Sequence, residues 1–493
     1  MLYEMIRDSA THNPEGLALE TMDSSLSFRD LLGAIDAFSS QLGVKGLMMG
    51  TPVMLLLPNG PEFVVAVFAI AKLGGVCVPA NPAFKSSELS QYALSSEARL
   101  VITTPHLAQK HAELFKEIDP GCQFVTQVPT APDPSLKSAT ARRPISGDFL
   151  FQFTSGTAGQ SKSVIRSQEE LAAEAANYSG TLRLTLSDKV LGVVPLSHSY
   201  GFGNCLLVAM YSGATLVLLE SFNRQQVTLA LTKKGVTIFP GVPFMFAMLA
   251  ESISVDSMGL PGLRLAYSAG APLEKTIFDN FLEKFNTPIR QHYGSTETGP
   301  VAIDASDAAI SPVASVGRPV DNVVIRIMDE KTRKEVENGE TGEIVISSAT
   351  MVSGYSQDSD SSRDCFTKEG FWSGDLGRMD ENGNLFITGR KKLFINAGAN
   401  KINPCEIEDV ISAHPKVVES VVLGVQGAYG NEIIKAVIVG ASDLTAEEIR
   451  RWCKERLADF KVPRKIEFRD EIPRSPLGKI LRKEMLNTEE SGG

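Results

Sequence analysis

The segment FTSGTAGQSK, from Phe153 to Lys162, concentrates small and hydroxylated residues ahead of a lysine, directly after the apolar run DFLFQF. Small residues let backbone N–H groups approach an anion, hydroxyls add donors and the lysine adds charge, so the pattern suits phosphate. Its spacing is not the GxxxxGK[ST] of P-loop nucleotide hydrolases, and the same composition also describes an ordinary flexible loop. Four more segments carry chemistry: QHYGSTE (291–297), WSGDLG (372–377), GRKK (389–392) and PLGK (476–479). A carboxylate such as Glu297 beside a polyphosphate requires a divalent cation between them. Asp375 can accept hydroxyl groups or merely stabilise its turn. Lys479 sits in a proline–glycine turn that could deliver its cation into a cleft, although most lysines are simply solvated. His198, in PLSHSYGFG (195–203), has no second histidine beside it, which argues against a metal role; a buried, hydrogen-bonded core histidine is one alternative.

Buried parallel strands are the elements needed to hold these segments. Short apolar runs such as PVMLLLP, VCVPANP, KVLGVVPL, ATLVLLE, GVTIFPGVP and LRLAYSAG recur between Gly and Pro, as expected of strands covered on both faces of an α/β sheet. From about Ser311 the runs VVIRIMDE, TGEIVISS and GNLFITG, parted by glycine turns, predict a small antiparallel β unit. After GRKK, Asn403–Pro404 with Glu406 reads as a helix start. Thr445 with Glu448 repeats it ahead of Ile449, Trp452, Leu457 and Phe460, read as one helical face. The last hundred or so residues therefore read as a compact α+β domain behind a charged hinge, and the polar stretch 128–144 as an exposed loop. The expected fold is thus α/β: a large N-terminal domain, 1–390, of parallel-type sheets plus a small β unit, then a small mobile α+β domain, 391–493.

Composition narrows the class. The 493 residues are 43% hydrophobic and 22% charged, the balance of a globular protein. Asp and Glu (58) exceed Lys and Arg (48), and a net charge of −10 argues against a general nucleic-acid binder. No apolar run reaches the ~20 residues of a membrane span. The N-terminus lacks a signal-peptide pattern, and six scattered Cys without a CxxC pair read as reduced thiols. The expectation is a cytoplasmic protein with no membrane span and no nucleic-acid partner.

In this order, with SAGAPL (268–273) among them, the motifs resemble the superfamily of adenylate-forming, AMP-binding enzymes: acyl- and aryl-CoA synthetases, adenylation domains and luciferase. The resemblance runs from KLGGVCVPANP (72–82) to PRSPLGKILRK (473–483). It implies ATP-dependent adenylation of a carboxylate with pyrophosphate release, then transfer of the acyl group to the thiol of CoA or to the phosphopantetheine of a separate carrier protein. It also implies roles. Thr154, Ser155, Gly156, Thr157, Ala158, Gly159 and Lys162 would hold the β- and γ-phosphates. Thr296 would bond a phosphate oxygen, and Glu297 with Thr157 would hold Mg²⁺. Gly270, Ala271 and Pro272 would face adenine opposite Tyr293, flanked by His292 and Gly294; Tyr293 as plain core is the competing reading. Asp375 would accept the ribose hydroxyls, with Ile387 and Arg390 nearby. Lys479 would bridge carboxylate and α-phosphate, Lys392 would be the hinge, and His198, Phe202, Val242, Phe244, Tyr267 and Ser295 would shape the acid pocket.

Departures from the family pattern are local. Where the phosphate loop usually reads TSGTTGxPKG, this chain has Ala158, Ser161 and Ser163; backbone donors survive all three, so altered phosphate handling is expected rather than none. Ala399 and Asn400 replace Gly and Glu in the loop implied to line the thiol tunnel. No aspartate pairs with an α-ammonium as in amino-acid-activating relatives, which favours an acid lacking an α-amine, fatty or aromatic. A nucleotide-binding protein without catalysis is the reading from another class, and the retention of Glu297, Asp375, Arg390 and Lys479 argues against it.

Overall fold

The computed structural model describes residues 1–84, 86–132, 147–154, 162–251, 259–260, 262–305, 314–356, 359–391, 395–397, 400–402, 404–426, 432–457, 459–475 and 480–486. The chain divides into two compact units. The first comprises Met1–Ile325, Ile346–Phe371 and Gly383–Leu385; the second comprises Arg326–Val345, Trp372–Asn382 and Phe386–Gly493.

Two sheets organise the first unit. One has six strands in the order Gln123–Val125, Leu100–Thr103, Pro52–Leu56, Val76–Pro79, Asp148–Thr154 and Lys162–Ser167. The first five run parallel and only the last pair is antiparallel. In the other, Ile289–Ser295, Leu265–Ser268, Ile238–Gly241, Lys189–Gly192, Thr215–Leu218 and Leu17–Glu20 lie side by side in parallel. The apolar runs account for this: Val76–Pro79, Thr215–Leu218, Ile238–Gly241 and Leu265–Ser268 are buried at every position. The run after Pro61 is long enough to be a helix instead, and Pro61–Leu73 buries every residue from Phe63 to Ala71 before Gly74 ends it at φ +73°. Ser27 with Asp30, and Ser167 with Glu170, form reciprocal capping boxes that start helices Phe28–Val44 and Gln168–Leu182.

The second unit takes parts of four neighbouring strands, Val323–Met328, Gly342–Ser348, Gly370–Met379 and Leu385–Arg390. Its C-terminal part pairs Val417–Gln426 antiparallel with Glu432–Gly440 and adds Lys465–Phe468 in parallel. Ile407 and Ile411 of helix Pro404–Ser412, with Ile449 and Cys453 of helix Ala446–Lys454, close a core over Val422, Ile434 and Ile438. Thr445 caps the latter helix, accepting from the Glu448 amide as its sequence implies; Asn403, expected to cap the former, lies outside the described residues. The single helical face drawn through Leu457 and Phe460 needs correction. The helix stops at Lys454, the Leu457 amide turns back to the Cys453 carbonyl, and Phe460 falls in a separate turn, Asp459–Lys461. A spacing of apolar residues survives a break in the helix, so periodicity alone could not place its end.

Candidate active site

Most motif residues of the first unit stand at the carboxyl ends of parallel strands, where an open α/β sheet presents its loops to a ligand. Strand Leu265–Ser268 leads into Ala269 and then Gly270, Ala271 and Pro272. Gly270 has φ +84°, a left-handed conformation that a side chain would strain. Strand Ile289–Ser295 carries His292, Tyr293, Gly294 and Ser295, and Thr296 and Glu297 follow at once. Tyr293 is half-buried, so it is not plain core. The Ser295 hydroxyl lies 3.0 Å from that of Thr298, and the Thr296 hydroxyl 3.2 Å from that of Ser199.

The ends of the phosphate-loop motif face each other, since Thr154 pairs with Lys162 across the antiparallel ladder. Ser155, Gly156, Thr157, Ala158 and Gly159 lie outside the described residues, as do Lys392, Ala399 and Lys479. Lys162 places its ammonium 4.3 Å from the centre of the Tyr355 ring. The Tyr355 hydroxyl in turn donates to Glu297 Oε1 at 3.1 Å. One tyrosine therefore joins the loop lysine to the motif acid. Sequence reading missed it: GYS at 354–356 carries no charge and belongs to none of the motifs singled out. Among the described residues no three His, Cys, Asp or Glu gather into a metal cage. A carboxylate with hydroxyl neighbours suits Mg²⁺, which keeps waters and arrives on phosphates rather than in an all-protein cage.

A cluster of rings lies behind the strand ends. His292 is buried, with Nε2 3.1 Å from the Asn204 amide nitrogen and Nδ1 3.3 Å from the Tyr178 hydroxyl. Burial pushes its pKa down to about 3, so the ring is neutral near pH 7. Both ring nitrogens have partners in this cluster, which ties His292 to the packing behind the strand. Tyr200 stacks on His292 with centroids 5.8 Å apart and donates to the Gly241 carbonyl at 3.0 Å. Tyr267 and Phe202 are fully buried and Val242 nearly so, whereas Phe244 is exposed and packs its ring 5.5 Å from Phe222. Phe202 opens a π-helical turn, Phe202–Leu207, a distortion common beside functional sites. His198 is exposed, and its Nδ1 accepts from the Tyr200 amide at 3.2 Å. The core-histidine alternative for it is therefore corrected: the short turn Ser199–Gly201 needs a cap at the surface, and His198 supplies it.

Asp375 and Arg390 meet in the second unit. Arg390 Nε donates to Asp375 Oδ1 at 2.6 Å, and the Asp375 amide donates to the Ser373 hydroxyl at 3.1 Å. Glu343, which sequence reading passed over, accepts from the Gly374 amide at 3.1 Å and from Lys391 Nζ at 3.2 Å, fixing the turn that presents Asp375. Ile387 lies half-buried on the strand that ends at Arg390.

Comparison with known proteins places the chain. Residues 6–356 match the family model of AMP-binding enzymes, and residues 406–479 that of the AMP-binding enzyme C-terminal domain. A 2-succinylbenzoate–CoA ligase of Bacillus licheniformis is 30% identical over 97% of this chain and 98% of its own length. A 4-coumarate–CoA ligase of Pinus taeda is 30% identical over 90% of this chain and 86% of its own. Among solved structures, the ATP- and magnesium-bound O-succinylbenzoate coenzyme A synthetase of Bacillus subtilis superposes with a TM-score of 0.85 at 26% identity, covering 98% of this chain and 99% of that one. ATP-bound MatB from Rhodopseudomonas palustris gives 0.89 at 26% identity, covering 99% and 98%. With a family model spanning well over half its length and site motifs at the expected strand ends, the chain belongs to the AMP-binding enzyme family of adenylate-forming proteins.

Proposed function

We infer that the protein is an ATP-dependent acid–thiol ligase that adenylates a carboxylate lacking an α-amine and transfers the acyl group to CoA. ATP, Mg²⁺ and CoA are its cofactors. The observation that carries the reading is the convergence of Lys162 and Glu297 on Tyr355. A cation from the phosphate-loop motif and an acid from a distant motif are what a magnesium–triphosphate complex needs on opposite sides. Bound Mg²⁺ would neutralise phosphate charge, with Glu297 and Thr157 holding it. Thr154 to Lys162 and Thr296 would bind the β- and γ-phosphates, and Gly270 to Pro272 with Tyr293 would enclose adenine.

Asp375 supports the ribose reading because it is a nearly buried carboxylate on a turn pinned by Ser373 and Glu343. Lys479 would screen the carboxylate and α-phosphate oxygens as they combine. A division at 390/391 would let the C-terminal part turn about Lys392 and withdraw that lysine before thiol attack. For the acid, the ring cluster of Tyr200, Tyr267 and neutral His292, with Phe202 and Val242, offers uncharged surroundings. That suits an aromatic or aliphatic tail rather than a second charge. Among the described residues no helix is long and apolar enough to cross a membrane.

Pyrophosphate release measured across aromatic and aliphatic acids, with CoA, with a phosphopantetheinylated carrier protein and with neither, tests the reading. Acid-dependent pyrophosphate and a CoA thioester are expected. Nucleotide binding without release for any acid would overturn it, and thioester formed only on the carrier protein would reassign the acceptor.

A further inference from the structure

We propose that Tyr355 is a positioning residue for the metal-binding carboxylate, and that the segment Thr350–Ser356 is a strap holding the phosphate-loop stem and Glu297 in one register. The proposal rests on the reading of Glu297 and Lys162 given above. Along this one segment, contacts alternate between the two motifs. The Thr350 carbonyl accepts from Arg166 of strand Lys162–Ser167 at 2.6 Å. The Val352 amide donates to the Glu297 carbonyl at 2.9 Å, and the Ser356 amide to the Ser163 carbonyl at 2.8 Å. The hydroxyls of Ser356 and Ser163 lie 2.6 Å apart. Arg166 is itself anchored, buried in an ion pair with buried Glu174, so the stem end of the strap is rigid.

Tyr355 stands between these backbone ties. Its amide donates to neither motif but is caught by the Ser362 hydroxyl at 2.8 Å, and its ring packs edge-on against Phe366 at 5.3 Å. The residue is thus also held by Ser362 of helix Ser359–Cys365 and by Phe366 of the short strand that follows it. Two of its contacts are chemically distinct: the hydroxyl donates to Glu297 Oε1, while the ring face receives the Lys162 ammonium. Fixing Oε1 sets the direction of Oε2 without removing the carboxylate's charge, because a phenol donates a hydrogen bond and adds no countercharge. A lysine in the same place would hold the carboxylate equally well but would neutralise it.

Because the two contacts use different parts of one side chain, two substitutions separate them. Tyr355→Phe keeps the face for Lys162 and removes the bond to Glu297; Tyr355→Leu removes both. Loss of one hydrogen bond to a charged group should raise the half-saturating Mg²⁺ about tenfold at fixed ATP. At saturating Mg²⁺, turnover of Tyr355→Phe should stay within about twofold of wild type, since the remaining machinery is intact. Tyr355→Leu should also raise the KM for ATP. Mn²⁺ binding in the presence of ATP and the absence of acid, followed by electron paramagnetic resonance, gives a readout independent of turnover and should weaken in parallel. Glu297→Gln and the double variant Tyr355→Phe/Glu297→Gln complete a cycle, and the double variant should match Glu297→Gln alone. If Glu297→Gln weakens Mn²⁺ binding while Tyr355→Phe leaves it unchanged, or if the two effects add, the positioning role is wrong. Should Glu297→Gln itself leave Mg²⁺ and Mn²⁺ dependence unchanged, the metal assignment fails and the proposal falls with it.

Discussion

Replacing Asp375 with asparagine isolates the charge of the carboxylate proposed to bind ribose. The carboxylate is 8% exposed, and its turn is held by groups that do not need the charge: the Gly374 amide on Glu343 and the Ser373 hydroxyl on the Ile344 carbonyl at 2.8 Å. Asparagine keeps the shape and one acceptor oxygen. Hydrogen bonds to a charged acceptor contribute about 1.5–3 kcal/mol against about 0.5–1.5 for neutral ones, so two weakened hydroxyl bonds should cost about 2 kcal/mol. That is about a 30-fold rise in the KM for ATP. The competing effect is loss of the Arg390 ion pair. Arg390 is 40% exposed in its side chain, so solvent screening limits this to about 1 kcal/mol of stability or less. Binding should therefore suffer more than folding. Pyrophosphate release at varied ATP and 2′-deoxy-ATP, with urea midpoints for both proteins, measures the two terms. The 2′-deoxy penalty should shrink in the variant. Equal penalties in wild type and variant, or a stability loss large enough to explain the kinetics, would refute the ribose assignment.

Three further outcomes are expected. Lys479→Ala should slow adenylate formation about 10²–10³-fold, the scale of one preorganised charge-stabilising group, while thiol attack on preformed acyl-adenylate proceeds almost unchanged; equal slowing of both single-turnover steps would contradict this. Lys392→Pro should do the reverse, because proline fixes φ at the proposed hinge, and slowing of the first step alone would count against that hinge. His292, held neutral in the fold down to about pH 3, binds its proton near pH 6.5 when unfolded, so the unfolded chain carries more protons in that window and stability rises with pH across it. About 4 kcal/mol should be lost between pH 6.5 and pH 3, and His292→Gln should flatten that part of the urea-midpoint curve, an unchanged slope being the contrary result.

Much of the fold was legible because burial writes itself into composition. Strands covered on both faces must be continuously apolar, and Thr215–Leu218 and Leu265–Ser268 are. Capped helices announce themselves in the same way through Thr445 and Glu448. The end of that helix was not legible, because Leu457 continues the apolar spacing and packs on the same core although the regular helix ends at Lys454. Site residues with intrinsic chemistry, Glu297, Asp375, Arg390 and Lys162, could be picked out one by one. Their supports could not. Glu343 reads as one acid among many, and Tyr355 as one of nine tyrosines. Each gains meaning only from what the fold sets beside it.

The departures in the phosphate loop show how the two kinds of information combine. On sequence alone Ser163, where the resembling family has glycine, counts among three departures from which altered phosphate handling is expected. In the fold it lies on strand Lys162–Ser167, already past the loop, buried and paired with Phe153 across the ladder. Extended backbone makes no demand for glycine there, so the substitution carries no conformational cost. Its hydroxyl instead meets that of Ser356, adding a side-chain tie beside the backbone bond between the same two residues. Ser163 thus adds a side-chain contact between the loop's stem and the segment carrying Tyr355. Through Tyr355 of that segment, Lys162 and Glu297 are both engaged by one side chain.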